Sequence, residues 1–176
     1  MNTKFSKKMT LGIAAIAASF TLSSCNYTDP VEYNDTIVTK IDSLVGYQSS
    51  FVDALGKEGD TMKAAYDAMN KYTDKTIANI SGMPEYSDGA EFNKSVVQIL
   101  NNLKTTNASS GKNMMELYEK SNAGEEITDA DFDRMDKLAD EYDKTWEQEL
   151  KNFDAAQKKY AEKAGITIQQ VGKIVN

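Results

Sequence analysis

Apolar side chains recur every three or four residues through four segments of this chain, and this spacing constrains the fold more than any other feature of the sequence. Such spacing places the apolar side chains on one face of an α-helix, whereas a half-buried strand would need strict alternation. No segment has a competing alternating pattern. The sequence therefore predicts an all-α fold, an antiparallel up-down four-helix bundle with long third and fourth helices.

The first two segments have clear boundaries. Asp29 and Pro30 suit the cap and the first position of a helix, and Gly56 ends the segment that they begin. The second segment begins near Asp60 and ends before a loop over residues 81–89, which contains two glycines and a proline. Connections this short favour helices that lie side by side in opposite directions.

The third segment contains a polar stretch of small residues from 105 to 111, which allows two interpretations. The helix ends there, or it continues to Tyr118. Apolar residues on both sides, from Phe92 to Leu117, keep the helical phase across the stretch. We therefore favour one long helix, in which Gly111 costs about 1 kcal/mol relative to alanine.

The fourth segment has the strongest start signal. Thr128 is the predicted cap, with Asp131 three residues on, and Ile127 and Phe132 form a hydrophobic staple across the start. Gly165 ends the segment some 36 residues later. At a rise of 1.5 Å per residue, such a helix is about 54 Å long.

An acidic cluster at this helix start superficially matches a calcium-binding loop, with Asp129, Asp131 and Asp133 at alternate positions. The sixth position of such a loop needs a glycine and the twelfth usually holds a glutamate, but here they are Arg134 and Asp140. Carboxylates in the first turn of a helix also complement its dipole. We therefore expect a helix start rather than a metal site.

The N-terminus has the three-part organisation of a secretory signal. Lysines at positions 4, 7 and 8 precede an apolar run over residues 9–22, and small residues lead to Cys25. The run is about 14 residues long, which is shorter than the roughly 20 that a membrane-spanning helix needs. The sequence predicts a signal peptide that is removed.

The sequence Leu-Ser-Ser-Cys at 22–25 resembles the bacterial lipobox. The resemblance implies cleavage before Cys25 and attachment of lipid to its sulfur and its new amino terminus. Several acyl chains on one residue give stable anchoring. The alternative is an ordinary secreted protein with an incidental cysteine, but the single cysteine of the chain stands where a lipobox needs it. Asn26 after the cysteine, by similarity to enterobacterial sorting, favours the outer membrane, with the periplasmic and external faces both open.

These features divide the chain into four parts. They are a lipoprotein signal peptide over 1–24, a lipidated tether over 25–29, a four-helix bundle over 30–165 and a tail over 166–176 that packs on the bundle. The mature chain of 152 residues has the size of one domain. A chain of this length buries roughly 68–70% of its unfolded surface, so it needs no disulfide to fold.

Composition excludes several classes of function. There is no histidine and one cysteine, which excludes an internal disulfide, a zinc finger, histidine general-base catalysis and every Ser-His-Asp or Cys-His site. The predicted mature chain has 17 basic and 27 acidic residues, a net charge of −10. Nucleic acids and anionic membrane surfaces need the opposite charge, so we expect no nucleic-acid partner. We also predict no cofactor, no metal and no catalytic residue.

Trp146 is the strongest candidate for contact with a small ligand, together with Tyr66, Met69 and Met114. Methionine is adaptable, and tryptophan and tyrosine combine an apolar ring with a polar group. The same residues also fit a core stripe, which is the more common role. Small residues of the third helix lie opposite Trp146 in the predicted bundle: Thr106, Ser109 and Ser110.

Three helix starts after the lipobox carry a family resemblance: Asp-Pro-Val-Glu-Tyr-Asn-Asp-Thr-Ile-Val at 29–38, Ser-Asp-Gly-Ala-Glu-Phe at 87–92 and Ile-Thr-Asp-Ala-Asp-Phe-Asp at 127–133. This order resembles the uncharacterised all-helical cell-envelope or surface lipoproteins of Bacteroidetes and Leptospira. The resemblance covers most of the mature chain through short segments. It implies an envelope location and a helical fold, and it carries over no catalytic residue.

We therefore expect a lipid-anchored helical bundle of the cell envelope that binds another envelope component or protein partner and has no chemistry of its own. Its membrane contact is the lipid on Cys25, and its acidic surface favours basic or cation-rich partners. A small-ligand-binding bundle with a pocket near Trp146 is the alternative. An enzyme that uses carboxylates alone, such as Asp140 and Asp143, is a third hypothesis.

Lipidation is tested by replacing Cys25 with alanine. We expect C25A to move from the membrane fraction to the soluble fraction, because the acyl chains that hold the protein are lost. Immunoblots of fractionated cells measure the change. Asn26→Ser is the control and should stay with membranes, and a C25A variant that also stays there contradicts the lipoprotein assignment.

Overall fold

The computed structural model describes residues 29–57, 60–84, 86 and 88–168. Within these ranges the chain is all-helical and has no strand, which confirms the predicted fold class. Five α-helices follow one another in the sequence: α1 Pro30–Ala54, α2 Thr61–Ser81, α3 Gly89–Thr106, α4 Lys112–Asn122 and α5 Asp129–Ala164. The signal peptide, Cys25 and the last part of the predicted tail, residues 169–176, lie outside the described residues.

A π-helical segment, Asn107–Gly111, connects α3 to α4 without a break. The backbone keeps right-handed helical angles at Thr106 and at Lys112, on either side of the segment. The continuous third helix is therefore confirmed. The π-helical geometry was not predicted, and it inserts an extra residue into one turn of the helix.

Local capping signals set the start of α1 and both ends of α5. The Asp29 side chain accepts a hydrogen bond from the Val31 amide at 2.8 Å, which caps α1. At the start of α5, the amide of Asp131 donates to Thr128 Oγ1 at 3.2 Å, and the amide of Thr128 donates to Asp131 Oδ2 at 3.0 Å. This pair forms a capping box at the predicted cap. Gly165 ends α5 with a φ of +66°, which glycine adopts without strain.

The core contains most of the predicted apolar stripes, but several of its buried positions are polar. Gln157 of α5 donates to Asn34 Oδ1 of α1 at 3.0 Å, and Asn102 of α3 donates to Glu149 Oε1 of α5 at 2.9 Å. Polar side chains are tolerated inside when they find such partners. Apolar periodicity identifies the buried face of a helix but does not reveal these pairs.

Contacts between helix ends define two ends of the molecule. At one end, the Tyr160 hydroxyl donates to the carbonyl of Pro30 at 3.2 Å, and Tyr33 packs against Gly89. At the other, Asn122 Nδ2 donates to the carbonyl of Lys57 at 3.1 Å. We call these the Pro30 end and the Lys57 end. Along the molecule α1 packs on α2, α2 on α3, and α3 on α5.

Two further features concern the membrane and the tail. None of the helices in the described ranges has the length and hydropathy that a membrane span requires. Beyond α5, Ile166 is half-buried and packs against the core. The predicted packing of the tail over residues 166–176 stays a prediction.

The capping box of α5 should make stability depend on pH. Backbone and side-chain hydrogen bonds from Thr128, and then one from Lys120, lower the pKa of Asp131 to about 2. The charged form is therefore favoured in the folded state, and its stabilising effect is present above pH 4. We expect the native protein to be more stable than Asp131→Asn at pH 6, with the difference lost as the pH falls from about 4 to about 2.

Urea unfolding of both proteins between pH 2 and pH 6 measures this difference. Asp133→Asn is the control, because Asp133 lies on the same turn but takes no part in the capping box. A gap between native protein and D131N that stays constant down to pH 2 contradicts the assignment.

Candidate functional site

The π-helical segment places a polar residue inside the core. Asn107 is completely buried, and Ser110 and Gly111 are buried beside it. A Cβ atom added to Gly111 would lie 3.1 Å from Cε2 of Tyr142. The glycine therefore allows the Tyr142 ring of α5 to approach the helix backbone closely.

Side chains from three helices meet at Asn107. The Tyr142 hydroxyl donates to Asn107 Oδ1 at 3.1 Å and lies 3.4 Å from the thioether sulfur of Met69. The Tyr66 hydroxyl donates to the backbone carbonyl of Asn107 at 3.1 Å. Trp146 packs beside Tyr142, with ring centroids 6.1 Å apart. We call these five residues the Asn107 cluster.

Phe51 brings α1 to the same place. Its ring lies 5.4 Å from that of Tyr66 and 6.1 Å from that of Tyr142, measured between centroids. Aromatic pairs at such distances prefer tilted or edge-to-face packing, which both pairs show. Phe51 thus packs against two aromatic members of the Asn107 cluster.

Two buried nitrogen donors of the Asn107 cluster, the Nδ2 amide group of Asn107 and the Nε1–H of Trp146, have no hydrogen-bond partner among the residues that the structure describes. Their side chains are 0% and 1% exposed, so bulk water does not reach them. An unsatisfied buried donor costs about 1–3 kcal/mol, and native proteins contain few. Two such donors in one cluster therefore identify this part of the core as a candidate binding site.

The buried hydroxyl of Tyr142 acts as a hydrogen-bond donor. Burial raises the pKa of its hydroxyl far above the usual range. The indole N–H of Trp146, whose geometry falls outside that of a standard hydrogen bond, opposes this shift, and the charge of Asp143 adds to it. Tyr142 therefore stays protonated at physiological pH and cannot act as a base.

The structure brings three of the four predicted ligand contacts together: Trp146, Tyr66 and Met69 all belong to the Asn107 cluster. Met114 is also buried in the core. Sequence reasoning missed Asn107 itself, because a polar residue in a stretch of small residues looked like a weak point of the helix. The retained helical phase across that stretch was the signal that could have identified it.

Two surface clefts lie away from the Asn107 cluster. One runs between α3 and α5 near the Pro30 end, where Lys159 and Lys163 bind the carboxylate of Glu91. These two lysines lower the pKa of Glu91 to about 2. The other cleft lies between the end of α2 and the start of α3 and is also lined by Tyr33. Trp146 lines neither cleft.

The start of α5 forms a different kind of surface. Across its first three turns no side chain is fully buried, in contrast to the rest of the helix. Residues 125–143 carry nine acidic and two basic side chains. Half-buried apolar side chains follow one another within this acidic region, and we call them the α5 stripe: Ile127, Phe132, Met135 and Leu138.

The acidic residues of this region have structural roles. Asp129 lies in the first turn of α5, Asp131 pairs with Lys120 at 3.1 Å, and Asp140 pairs with Lys144 at 3.0 Å. No group of three or more potential metal ligands occurs among the residues that the structure describes. Burial, and then the charge of Asp140, raise the pKa of Asp143.

Comparison with protein-family models, curated proteins and solved structures gives no match. The function of the chain must therefore be argued from its own residues.

The structural role of the Asn107 cluster is tested by Tyr142→Phe. The variant keeps the ring but removes the proton donated to Asn107 Oδ1, so we expect a loss of about 1–3 kcal/mol in the free energy of unfolding. Urea unfolding followed by circular dichroism measures it. Tyr47→Phe is the matched control, because Tyr47 is 38% exposed, and it should change stability by less than about 0.5 kcal/mol. Equal effects for the two variants contradict the role of the hydroxyl.

Proposed function

We propose that the mature protein is a lipid-anchored component of the cell envelope, held at the outer membrane, that acts as a non-enzymatic interaction module. Its body is an antiparallel up-down four-helix bundle, and the packing of α1 on α2, α2 on α3 and α3 on α5 is compatible with that topology. The lipobox at residues 22–25 and the resemblance to helical envelope lipoproteins of Bacteroidetes and Leptospira support the location.

The short tether determines which end of the bundle is near the membrane. Helix α1 begins at Pro30, five residues after Cys25. Five residues reach at most about 18 Å, so the Pro30 end stays close to the bilayer surface. The 25 residues of α1 extend about 37 Å, so a bundle that stands upright on its tether presents the Lys57 end away from the membrane.

The observation that carries the proposal is the α5 stripe within its acidic surroundings. Apolar side chains that are only half-covered, with charged residues around them, are typical of protein-binding surfaces. The nine acidic side chains over residues 125–143 favour a partner of opposite charge. The partner of this surface is therefore a basic, amphipathic segment of another envelope protein.

The alternative function is a small-ligand-binding bundle with a pocket at Trp146, Tyr66, Met69 and Met114. The two unpartnered N–H groups of the Asn107 cluster favour it. Trp146 is 1% exposed and in contact with Tyr142, so an amphipathic molecule could enter only if the helices separated. The interaction module requires no such movement and is the first proposal.

The proposal is tested by titration of ¹⁵N-labelled mature protein with a helical peptide of lysine and leucine. We expect chemical-shift changes confined to residues 125–143 and their contacts, and binding that weakens as salt concentration rises. Met135→Ser should weaken binding about five- to tenfold, because half of a methionine side chain contributes about 1 kcal/mol.

Two controls accompany the titration. Val31→Ser removes an exposed apolar side chain at the Pro30 end and should leave the affinity unchanged. A peptide with glutamate in place of lysine should not bind. Equal binding of the two peptides, or shift changes that map to the Pro30 end, contradict the proposed surface.

A further inference from the structure

We infer that the Asn107 cluster is a built binding site for one neutral oxygen atom, which accepts hydrogen bonds from Asn107 Nδ2 and Trp146 Nε1. This inference concerns the interior of the molecule and does not rest on the proposed interaction surface.

The Asn107 cluster contains a pair of buried hydrogen-bond donors. Both N–H groups lack a partner within the described residues, and both side chains are more than nine-tenths buried. Asn107 Oδ1 accepts from the Tyr142 hydroxyl, and the Trp146 indole N–H is near enough to that hydroxyl to lower its pKa, although the two form no standard hydrogen bond. A single acceptor atom beside that hydroxyl would satisfy an otherwise costly arrangement.

The cluster also offers hydrogen-bond acceptors to a bound group. The Tyr142 hydroxyl donates its proton to Asn107 Oδ1, and its oxygen has two lone pairs, so it can accept from the bound group as well as from the nearby Trp146 indole N–H. The sulfur of Met69, 3.4 Å from that hydroxyl, is a weaker acceptor. A bound hydroxyl or water would therefore meet two donors and up to two acceptors. Buried water molecules in proteins typically make about three such hydrogen bonds.

The backbone of the π-helical segment contributes to the site. A π-helical turn carries one more residue than an α-helical turn, and such turns occur frequently at functional sites. Here the turn holds Asn107 in the core, and Gly111 admits the Tyr142 ring. The π-helical turn and Gly111 therefore both shape the part of the core where Asn107 and Tyr142 meet.

The surroundings of the two donors restrict the charge of a bound group. The hydrogen bonds and ring contacts described for Asn107, Tyr142 and Trp146 involve no lysine or arginine. An anion in an apolar core without a cation is strongly unfavourable, because burial removes its hydration. The site therefore selects a neutral oxygen, either that of a water molecule or that of a hydroxyl or carbonyl on a small amphipathic molecule.

Nuclear magnetic resonance of the full mature protein tests the site directly. Trp146 is the single tryptophan of the chain, so its indole N–H signal is assigned without ambiguity. We expect this proton to show cross-relaxation with a long-lived water molecule. If the oxygen belongs to an organic molecule, the proton shows cross-peaks to non-exchangeable protons instead, and native mass spectrometry of protein purified from membranes gives the added mass.

Variants connect the signal to Asn107. Asn107→Leu should reduce the cross-peak to background, because it removes one of the two donors. Asn101→Leu is the matched control, since Asn101 is an exposed asparagine of the same helix that bonds to the Val97 carbonyl. It should leave the cross-peak unchanged. If N107L does not fold, Tyr142→Phe, which removes the acceptor, should weaken the same cross-peak.

Two results would overturn the inference. One is a native protein whose indole proton has no cross-peak to water or to a ligand, with the mass of the bare lipidated chain. The other is a folded N107L that keeps the full water cross-peak, since the water would then not depend on Asn107.

Discussion

The hydrogen bond from the Tyr142 hydroxyl to Asn107 connects the longest helix to the centre of the core. It joins α5 to the π-helical segment, and the same tyrosine contacts Met69 of α2 and Phe51 of α1. All of the long helices therefore meet around one buried phenol. Because burial keeps that phenol protonated, the contact persists across the physiological pH range.

Much of the fold could be predicted because its signals are local. The cap at Asp29, the capping box at Thr128 and the glycine at 165 act through neighbouring backbone, so sequence alone identifies them. The Asn107 cluster depends on side chains from different helices, and no spacing rule reveals such partners. The apolar periodicity of the fourth helix predicts Phe132, Met135 and Leu138 as core residues, but the structure leaves them half-buried.

The molecule thus combines three regions with different physical character. At the Pro30 end, which is the end next to the proposed tether, Glu91 is held by Lys159 and Lys163. The core is apolar apart from paired polar groups and the Asn107 cluster. The start of α5 is acidic and only partly covered. This distribution suits a protein that is fixed at one end and recognises a partner at the other.

Site-specific photo-cross-linking in intact cells tests this arrangement most directly. A photoreactive amino acid would replace Met135, in the α5 stripe, or Val31, which is 44% exposed at the Pro30 end, in the lipidated protein. The account predicts a discrete protein adduct at position 135, with a basic segment at the cross-linked site, and no protein adduct at position 31. Protein adducts at position 31 with none at position 135 would contradict it.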